Sequence, residues 1–559
     1  MKNILIINLA RLGDIIQTIP MIEGLNKKYP GCRVFMLVNS TFIDVCKIIP
    51  GLYRAVSLDF SLIHNHIFSN SSSVENGYEF FKQVFDDLRT NRFDKIINIT
   101  PHDIGVITTF LSGDEKAFWS NVNDWSKYYF NITKNWNTLT LNVVDMFKRI
   151  AGVSRQECFR TIKLDYGSIS YADNLLRDYG LTNGCYLIGL QPGASTVDKK
   201  WPLDYFTELA NRIIKGLNAK IILFGGKGDI CDGAVIEDKF KKNVINMIGK
   251  TDMLQLCALM SRTDILITND TGPMHIAAFT GTKVISINMG KEICETTGPY
   301  GKGNISLQPK IDCYPCSKPL LCSKGICRKS IKPDAVYKLI NYLCNDVNNN
   351  FADRFTEDME VYISRFDNYG TIDFLPLFKI RLSLRTFYRK ILRIVWDLSL
   401  SEEFNDLSVS TAAAELEHIF EKYFYTNDFH EHATDASNKK LLLLEIAELS
   451  SNGLNLSRQI YNYSKNVNNN IKKIGSLSKQ LEVIDENIFK AGEGLSELKM
   501  IISMYKFEID SLKGENIAEM AEETCLIYTY LKSRLNLSIK IIDYFVELRS
   551  KTYINQKIA

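Results

Sequence analysis

The sequence has no apolar run long enough to cross a bilayer. Met1-Lys2-Asn3 leads straight into a strand-like segment, so neither a membrane span nor a signal peptide is expected. Neither sign of charge dominates. Lys and Arg number 67 against 64 Asp and Glu, a formal net charge of +3, which argues against a general nucleic-acid binder. The GxGxxG spacing is missing after the first strand, so a nicotinamide cofactor has no support. A disulfide framework is not indicated either. The 13 cysteines are mostly scattered, but four crowd between Cys313 and Cys327, which suits a reducing cytoplasm and one metal site. What is present is ordinary globular material. At 45% hydrophobic over 559 residues, the chain can build three or four domains.

Ile4-Leu5-Ile6-Ile7-Asn8 reads as a buried strand. The turn Leu9-Ala10-Arg11-Leu12-Gly13-Asp14 and an apolar-periodic stretch over 15–25 follow, in which Pro20 either kinks the helix or marks its restart. Strands over 33–38, 54–58 and 95–99 continue this βαβ series, and a helix over 141–151 ends it. Phe68-Ser69-Asn70-Ser71-Ser72-Ser73 reads as a loop. A second series starts at 185–190 and proceeds through strands over 219–224, 243–247, the run before Asp270, and 283–287, with helices over 203–215, 253–260 and 272–279. Two such series predict two α/β domains facing each other across a cleft, over 1–170 and 171–347. Asn348-Asn349-Asn350 marks a boundary, 348–400 reads as a linker with a basic amphipathic helix, and 401–559 as an all-helical bundle or degenerate repeat.

Chemistry concentrates where strands end. Leu266-Ile267-Thr268-Asn269-Asp270 stops at a turn on Thr271-Gly272, and Pro273 begins a helix carrying His275. Open α/β sheets bind ligands at such strand ends, and a helix start offers backbone N–H groups to an anion. A helix cap accounts for Asp270 or Thr271 alone, less well for their combination with Gly272 and His275. Gln191-Pro192-Gly193-Ala194-Ser195-Thr196 is a second strand-end loop, followed by Lys199-Lys200-Trp201-Pro202. Gly193 and Ala194 permit close backbone approach, Ser195 or Thr196 can donate hydrogen bonds, and the lysines can neutralise a diphosphate. Gly225-Gly226 opens a third turn suited to a nucleotide. Asp14, directly after Gly13, either caps its helix or serves as a general base, while Arg11 either orients a substrate or lies on the surface.

Together, the opening Leu9–Asp14 segment, Gln191–Ala194 with Lys199–Pro202, Phe224–Gly226, Asn269–His275 and Thr297-Gly298-Pro299-Tyr300-Gly301 resemble glycosyltransferase family 9, the bacterial heptosyltransferases, over roughly 1–345. The resemblance implies an α/β fold of GT-B type, two facing Rossmann-like domains with the acceptor side first and the donor side second, followed here by the all-helical region. It implies inverting transfer of heptose from ADP-heptose to a lipopolysaccharide-core or related surface-glycan acceptor. A protein acceptor, autotransporter or flagellar, and a non-catalytic scaffold of the same fold are the other readings. On this chain it implies Asp14 as general base and Arg11 on the acceptor side. Donor-side residues are Ser195, Thr196, Lys199, Lys200, Gly225, Gly226, Asp270 at the sugar, Thr271 and Gly272 at the diphosphate, and His275 at the loop or the donor. No catalytic metal is expected, since the scheme needs none and an Asp-x-Asp site is lacking. One family branch, which glycosylates autotransporter proteins, carries an iron-binding finger and forms a large oligomer. The spacing here does not assign the chain to that branch, although a homo-oligomer is compatible with it.

Cys313, Cys316, Cys322 and Cys327 can enclose a tetrahedral ion, so a structural zinc or iron knuckle over 313–327 is expected, against incidental or redox cysteines. Over 377–395, Lys379, Arg381, Arg385, Arg389, Lys390 and Arg393 share a stretch with Leu377, Ile380, Leu384, Phe387, Ile391 and Val395. Such a helix either lies on an anionic membrane, at the inner face of the cytoplasmic membrane, or packs through its apolar side with a solvated basic face.

Overall fold

The computed structural model describes residues 2–59, 74–101, 103–113, 123–133, 139–153, 162–181, 184–316, 322, 325–345, 359–400, 406–425 and 429–558. The expected loop Phe68–Ser73 and boundary Asn348–Asn350 lie outside the described residues. The chain forms two compact units, Met1–Ser126 with Leu141–Phe378, and Lys127–Thr140 with Lys379–Ala559.

The first unit holds two sheets. Strands β1 (Asn3–Asn8), β2 (Arg33–Asn39), β3 (Arg54–Leu58) and β4 (Lys95–Asn98) form a parallel sheet in the order β3-β2-β1-β4. Ile4, Leu5, Ile6 and Ile7 are all buried, as a central parallel strand covered on both faces requires. Helix Leu12–Ile16 follows β1, and Pro20 sits in the first turn of a new helix, Ile19–Lys28. Proline therefore restarts rather than kinks, because its missing N–H costs nothing at a helix start.

The second sheet contains β5 (Tyr186–Gln191), β6 (Ala219–Leu223), β7 (Val244–Asn246), β8 (Ile265–Asn269), β9 (Lys283–Ile287), β10 (Ile305–Pro309), β11 (Met359–Phe366) and β12 (Ile372–Pro376). Their order is β12-β11-β10-β9-β8-β5-β6-β7. From β7 to β10 the strands are parallel, whereas β11 and β12 add antiparallel. This hairpin lies in a stretch that reads as a connecting segment from sequence. Trp201, Phe206, Leu209, Ile213 and Ile236 pack with the strands in one apolar cluster.

The second unit is helical, with Leu384–Ser399, Asp406–Tyr423, Phe429–Ser464, Val467–Gly492, Met500–Asp510 and Ile517–Ile558. Arg534 donates to both carboxylate oxygens of Glu508 at 2.8 and 2.8 Å, a buried bidentate pair. Tyr128, from the short segment that joins this unit, lies 4.8 Å from Trp396, centroid to centroid. In Leu384–Ser399, capped by the Ser383 hydroxyl, Phe387, Tyr388, Ile391, Val395 and Trp396 are buried. Lys390 is buried with them, and Arg385, Arg389 and Arg393 are half-buried and engaged in interactions, so the basic stripe is not a bare cationic face. Among the described residues, no helix is long and apolar enough to cross a membrane.

Candidate functional site

Two glycines let the two halves of the first unit meet. A Cβ on Gly272 would fall 2.2 Å from Leu12 Cδ2, and one on Gly13 would fall 3.0 Å from His275 Cδ2. Larger residues would push helix Leu12–Ile16 away from helix Gly272–Thr280. With glycine at both positions, the loop after β1 and the loop after β8 share one site.

From the first loop comes Asp14. Its Oδ2 accepts the backbone N–H of Arg11 at 3.0 Å, and Asn8 Nδ2 donates to its carbonyl at 3.0 Å. Burial raises its carboxyl above the usual range, and Glu292 adds to this. The Arg11 N–H and the cations Lys199 and Arg11 oppose the shift. Arg11 reaches across to Ser195 Oγ, Nη1 donating at 3.2 Å.

From the second half come the ends of β5 and β8. Gln191 Oε1 accepts from the hydroxyls of Thr268 at 2.9 Å and Thr271 at 3.0 Å. Asn269 Nδ2 donates to the carbonyls of Pro192 at 3.1 Å and Gly193 at 3.0 Å, and its Oδ1 accepts Trp201 N at 2.9 Å. The lysine loop is therefore pinned to the strand that carries Asp270. Lys199 Nζ lies 2.7 Å from Glu292 Oε1. Burial alone would lower the lysine, but Asp270 and Glu292 outweigh it and the net shift is upward. Asp270 Oδ2 accepts from Thr297 Oγ1 at 2.6 Å and Asn288 Nδ2 at 3.3 Å. Burial and then Glu292 raise its carboxyl to about 7. His275 is buried with Nδ1 unpartnered, and burial followed by Lys199 lowers it to about 3, so its imidazole is neutral.

Of the residues singled out by sequence, Asp14, Arg11, Ser195, Lys199, Asp270, Thr271, Gly272 and His275 are drawn together by these contacts. The Thr196 hydroxyl is buried without a partner at the same loop. Lys200 turns elsewhere, its Nζ 2.5 Å from Asp232 Oδ2. Gly225 and Gly226 lie at the next strand end around Asp229, whose Oδ2 accepts Gly226 N–H at 2.9 Å. Glu292, Asn288 and Thr297 complete the site without a sequence signal, and Thr297 alone stood within a quoted motif.

The knuckle expected over 313–327 is not formed. Among the described residues, no group of three or more His, Cys, Asp or Glu side chains could hold a metal ion. Cys313, Cys316, Cys322 and Cys327 are free thiols, the first and third exposed and the others half-buried, so they do not line one enclosed centre. Burial, with Cys322 and Cys313 adding, pushes the Cys327 thiol up. The segment serves another purpose. Cys316 N–H donates to Gly290 O at 2.7 Å, and the Tyr314 hydroxyl meets Glu292 O at 2.5 Å and Gln308 Oε1 at 2.7 Å.

Residues 82–324 match the family model described as glycosyltransferase family 9 (heptosyltransferase). Lipooligosaccharide heptosyltransferase 2 of Campylobacter jejuni is 31% identical over 195 residues, 33% of this chain and 58% of that protein. Lipopolysaccharide core heptosyltransferase OpsX of Haemophilus influenzae is 23% identical over 297 residues, 51% of this chain and 78% of that protein. The chain thus spans little more than half the length of the first of these curated relatives. A crystal structure of a family 9 glycosyl transferase from Veillonella parvula shares the fold, with 23% identity, a TM-score of 0.50, and coverage of 62% of this chain and 98% of that one. The first unit is accordingly a GT-B arrangement of Rossmann-like sheets, and the helical region is distinct from it.

Proposed function

Since residues 82–324 make the chain a member of glycosyltransferase family 9, we propose that it is an inverting glycosyltransferase, moving heptose from ADP-heptose to a lipopolysaccharide-core or related surface-glycan acceptor. The observation that carries this reading is the gathering of Asp14, a carboxyl raised by burial, and Lys199, whose charge acts on it, at the meeting of the two halves of the first unit. Asp14 takes the proton of the acceptor hydroxyl as its oxygen bonds to the anomeric carbon, while the bond from that carbon to the diphosphate oxygen breaks. Attack opposite the leaving group inverts the centre, and ADP departs with the bonding electrons. Lys199 and the backbone N–H groups opening helix Gly272–Thr280 offset the charge of the departing diphosphate. Asp270, steadied by Thr297 and Asn288, accepts hydrogen bonds from the sugar. Arg11, on the acceptor side, donates to the donor-side Ser195 hydroxyl.

A lipid-linked acceptor would be met at the inner face of the cytoplasmic membrane. Helix Leu384–Ser399 offers less cationic surface for such contact than its sequence, because Lys390 is buried. The test is transfer by purified protein from ADP-heptose to a panel of lipid-linked core glycans and extracted surface proteins, read by product mass. A heptose-sized gain on the glycans is expected. A gain on proteins alone moves the acceptor, and no gain with binding of another nucleotide sugar moves the donor.

A further inference from the structure

Helix Asp103–Ser112, which follows β4, is built inside out. Gly105, Thr108, Thr109 and Ser112 are buried, while Val106, Ile107 and Phe110 are 46%, 51% and 59% exposed. A helix on a water-facing surface does the reverse, turning its large apolar side chains to the core. The inward hydroxyls need no partner outside the helix. Thr108 Oγ1 donates to Ile104 O at 2.8 Å, Thr109 Oγ1 to Gly105 O at 2.6 Å, and Ser112 Oγ to Thr108 O at 2.6 Å. Ile104 and Leu111 reach the apolar cluster of the first sheet from the rim of this face. No charged residue lies between Asp103 and Asp114 to make the outward face polar. Gly105 lets the helix start hard against the sheet, since a Cβ there would fall 2.5 Å from Thr100 O. The Thr100 hydroxyl in turn accepts the Leu9 N–H at 2.9 Å, in the loop that leads to Asp14. The helix thus begins beside the proposed base, and its 10 residues keep the apolar face within about 15 Å of that start.

Resting on the glycosyltransferase reading, we infer that Val106, Ile107 and Phe110 form a membrane-docking surface that seats in the acyl boundary of the bilayer holding the lipid-linked acceptor. The area fits lipid rather than a second copy. Three side chains about half exposed present on the order of 300 Å², well short of the about 800 Å² per partner that a stable protein interface buries. A lipid surface takes such side chains a few at a time. The basic helix Leu384–Ser399 also carries a membrane signature in its sequence, but its apolar side is buried. Apolar docking therefore falls to Asp103–Ser112.

The full chain and the double variant Ile107→Ser with Phe110→Ser are floated with vesicles of phosphatidylcholine, with and without phosphatidylglycerol. The natural chain is expected to bind both and to stay bound when salt is raised, because the contact is apolar. The double variant is expected to bind at least about tenfold more weakly, burial of one such side chain being worth about that factor. Phe110→Trp, which keeps the face apolar, retains the affinity, and its fluorescence shifts to the blue on vesicles. Equal binding by the double variant, no binding by the natural chain, or release by salt overturns the surface. So does a natural chain that is dimeric where the double variant is monomeric, which assigns the face to a second copy. Transfer separates this inference from the catalytic reading. The double variant should lose transfer to an acceptor embedded in vesicles and keep transfer to the same glycan freed of its acyl chains. Vesicle binding through this face with no transfer to either acceptor supports the docking surface and removes the glycosyltransferase reading.

Discussion

Burial, more than any single charge, sets the working pH of the site. As the proposed base, Asp14 must be ionised to accept a proton, and its carboxyl is raised by burial with Glu292 adding. Turnover should therefore fade on the acid side at a pH above the ordinary carboxylate range. Asp14→Asn should lower kcat by about 10²–10⁴-fold while ADP affinity stays within about twofold of the natural chain. Full turnover in that variant would remove Asp14 as the base. His275 does not contribute a step near neutrality, because burial keeps it neutral down to about 3. Asp270 carries a stability cost as well. Its carboxyl is raised from 3.8 to about 7 by burial and then Glu292, so between those values the folded chain binds a proton that the unfolded chain has released. Its contribution to folding is thus favourable at low pH and declines as pH rises through that window. Asp270→Asn should raise the melting temperature more at pH 8 than at pH 5, a difference on the order of 1 kcal/mol or more; equal gains at both would contradict the buried carboxyl. These residues were readable in advance because strand ends, glycine turns and a helix start have local signatures. Lys199, two residues before the Trp201-Pro202 pair, is the better match to the family's phosphate lysine, and the 3-10 turn Val197–Lys199 aims it at Glu292 and leaves Lys200 to Asp232. Glu292, within Lys291-Glu292-Ile293-Cys294-Glu295, resembles a solvated charge run until the fold turns it inward.

At the scale of elements, helix Val143–Ala151 is joined to the edge of the second sheet by buried charge. Asp145 Oδ1 accepts from Tyr300 OH at 2.9 Å and from Lys148 Nζ at 3.4 Å, and Oδ2 accepts Ile372 N–H at 2.8 Å. Arg149 Nη2 donates to Thr371 Oγ1 at 2.9 Å. All five side chains with polar groups in this network are buried. Removing the central acid takes the carboxylate from beside Lys148 and the acceptor from Tyr300 and Ile372, so Asp145→Ala should cost about 3–5 kcal/mol, whereas Tyr300→Phe, which removes a hydroxyl that donates to Asp145 and accepts from Lys148 at 3.4 Å, should cost about 1–2 kcal/mol. Thermal unfolding of both variants ranks them, and a milder loss for Asp145→Ala than for Tyr300→Phe would refute the assignment. Tyr300 stood in a quoted motif, but its partners did not, because the hairpin β11–β12 carries no turn or periodicity that separates it from a connector. Its pairing with β10 is a tertiary choice: an edge strand is added where the parallel series ends, covering backbone groups that would otherwise face water unpaired. The cysteine spacing misled for the converse reason. A compact Cys pattern has the form of a metal site on spacing alone, whereas among the described residues no group of three or more His, Cys, Asp or Glu side chains could hold an ion.

For the whole molecule, the helical region is not simply appended after the two-sheet unit. The chain passes between units at 126–127, at 140–141 and at 378–379, so Lys127–Thr140 is cut out of the first unit and belongs to the second. Within that unit Tyr128, Tyr129 and Leu139 are buried, Ser503 Oγ donates to Asn131 Oδ1 at 3.3 Å, and Asn131 Nδ2 meets Met504 Sδ at 3.6 Å. A chain ending at Phe378 would keep this segment and lose its cover. Each large apolar side chain left in water forfeits about 1.5–3 kcal/mol, and three adjacent ones form an exposed patch of the kind that drives association. That chain should elute as aggregates and bind a hydrophobic dye. Replacing 127–140 in the same shortened chain with a short Gly/Ser linker should restore a single monodisperse species, because the two sheets and their apolar clusters are complete within the first unit. If instead the chain ending at Phe378 is as monodisperse and as heat-stable as the linker version, residues 127–140 have no dependence on the helical unit. The distinction decides where activity can be dissected: the doubly edited chain is the one in which acceptor choice can be compared with and without the helices, while simple truncation would confound loss of an acceptor contact with loss of a folded surface.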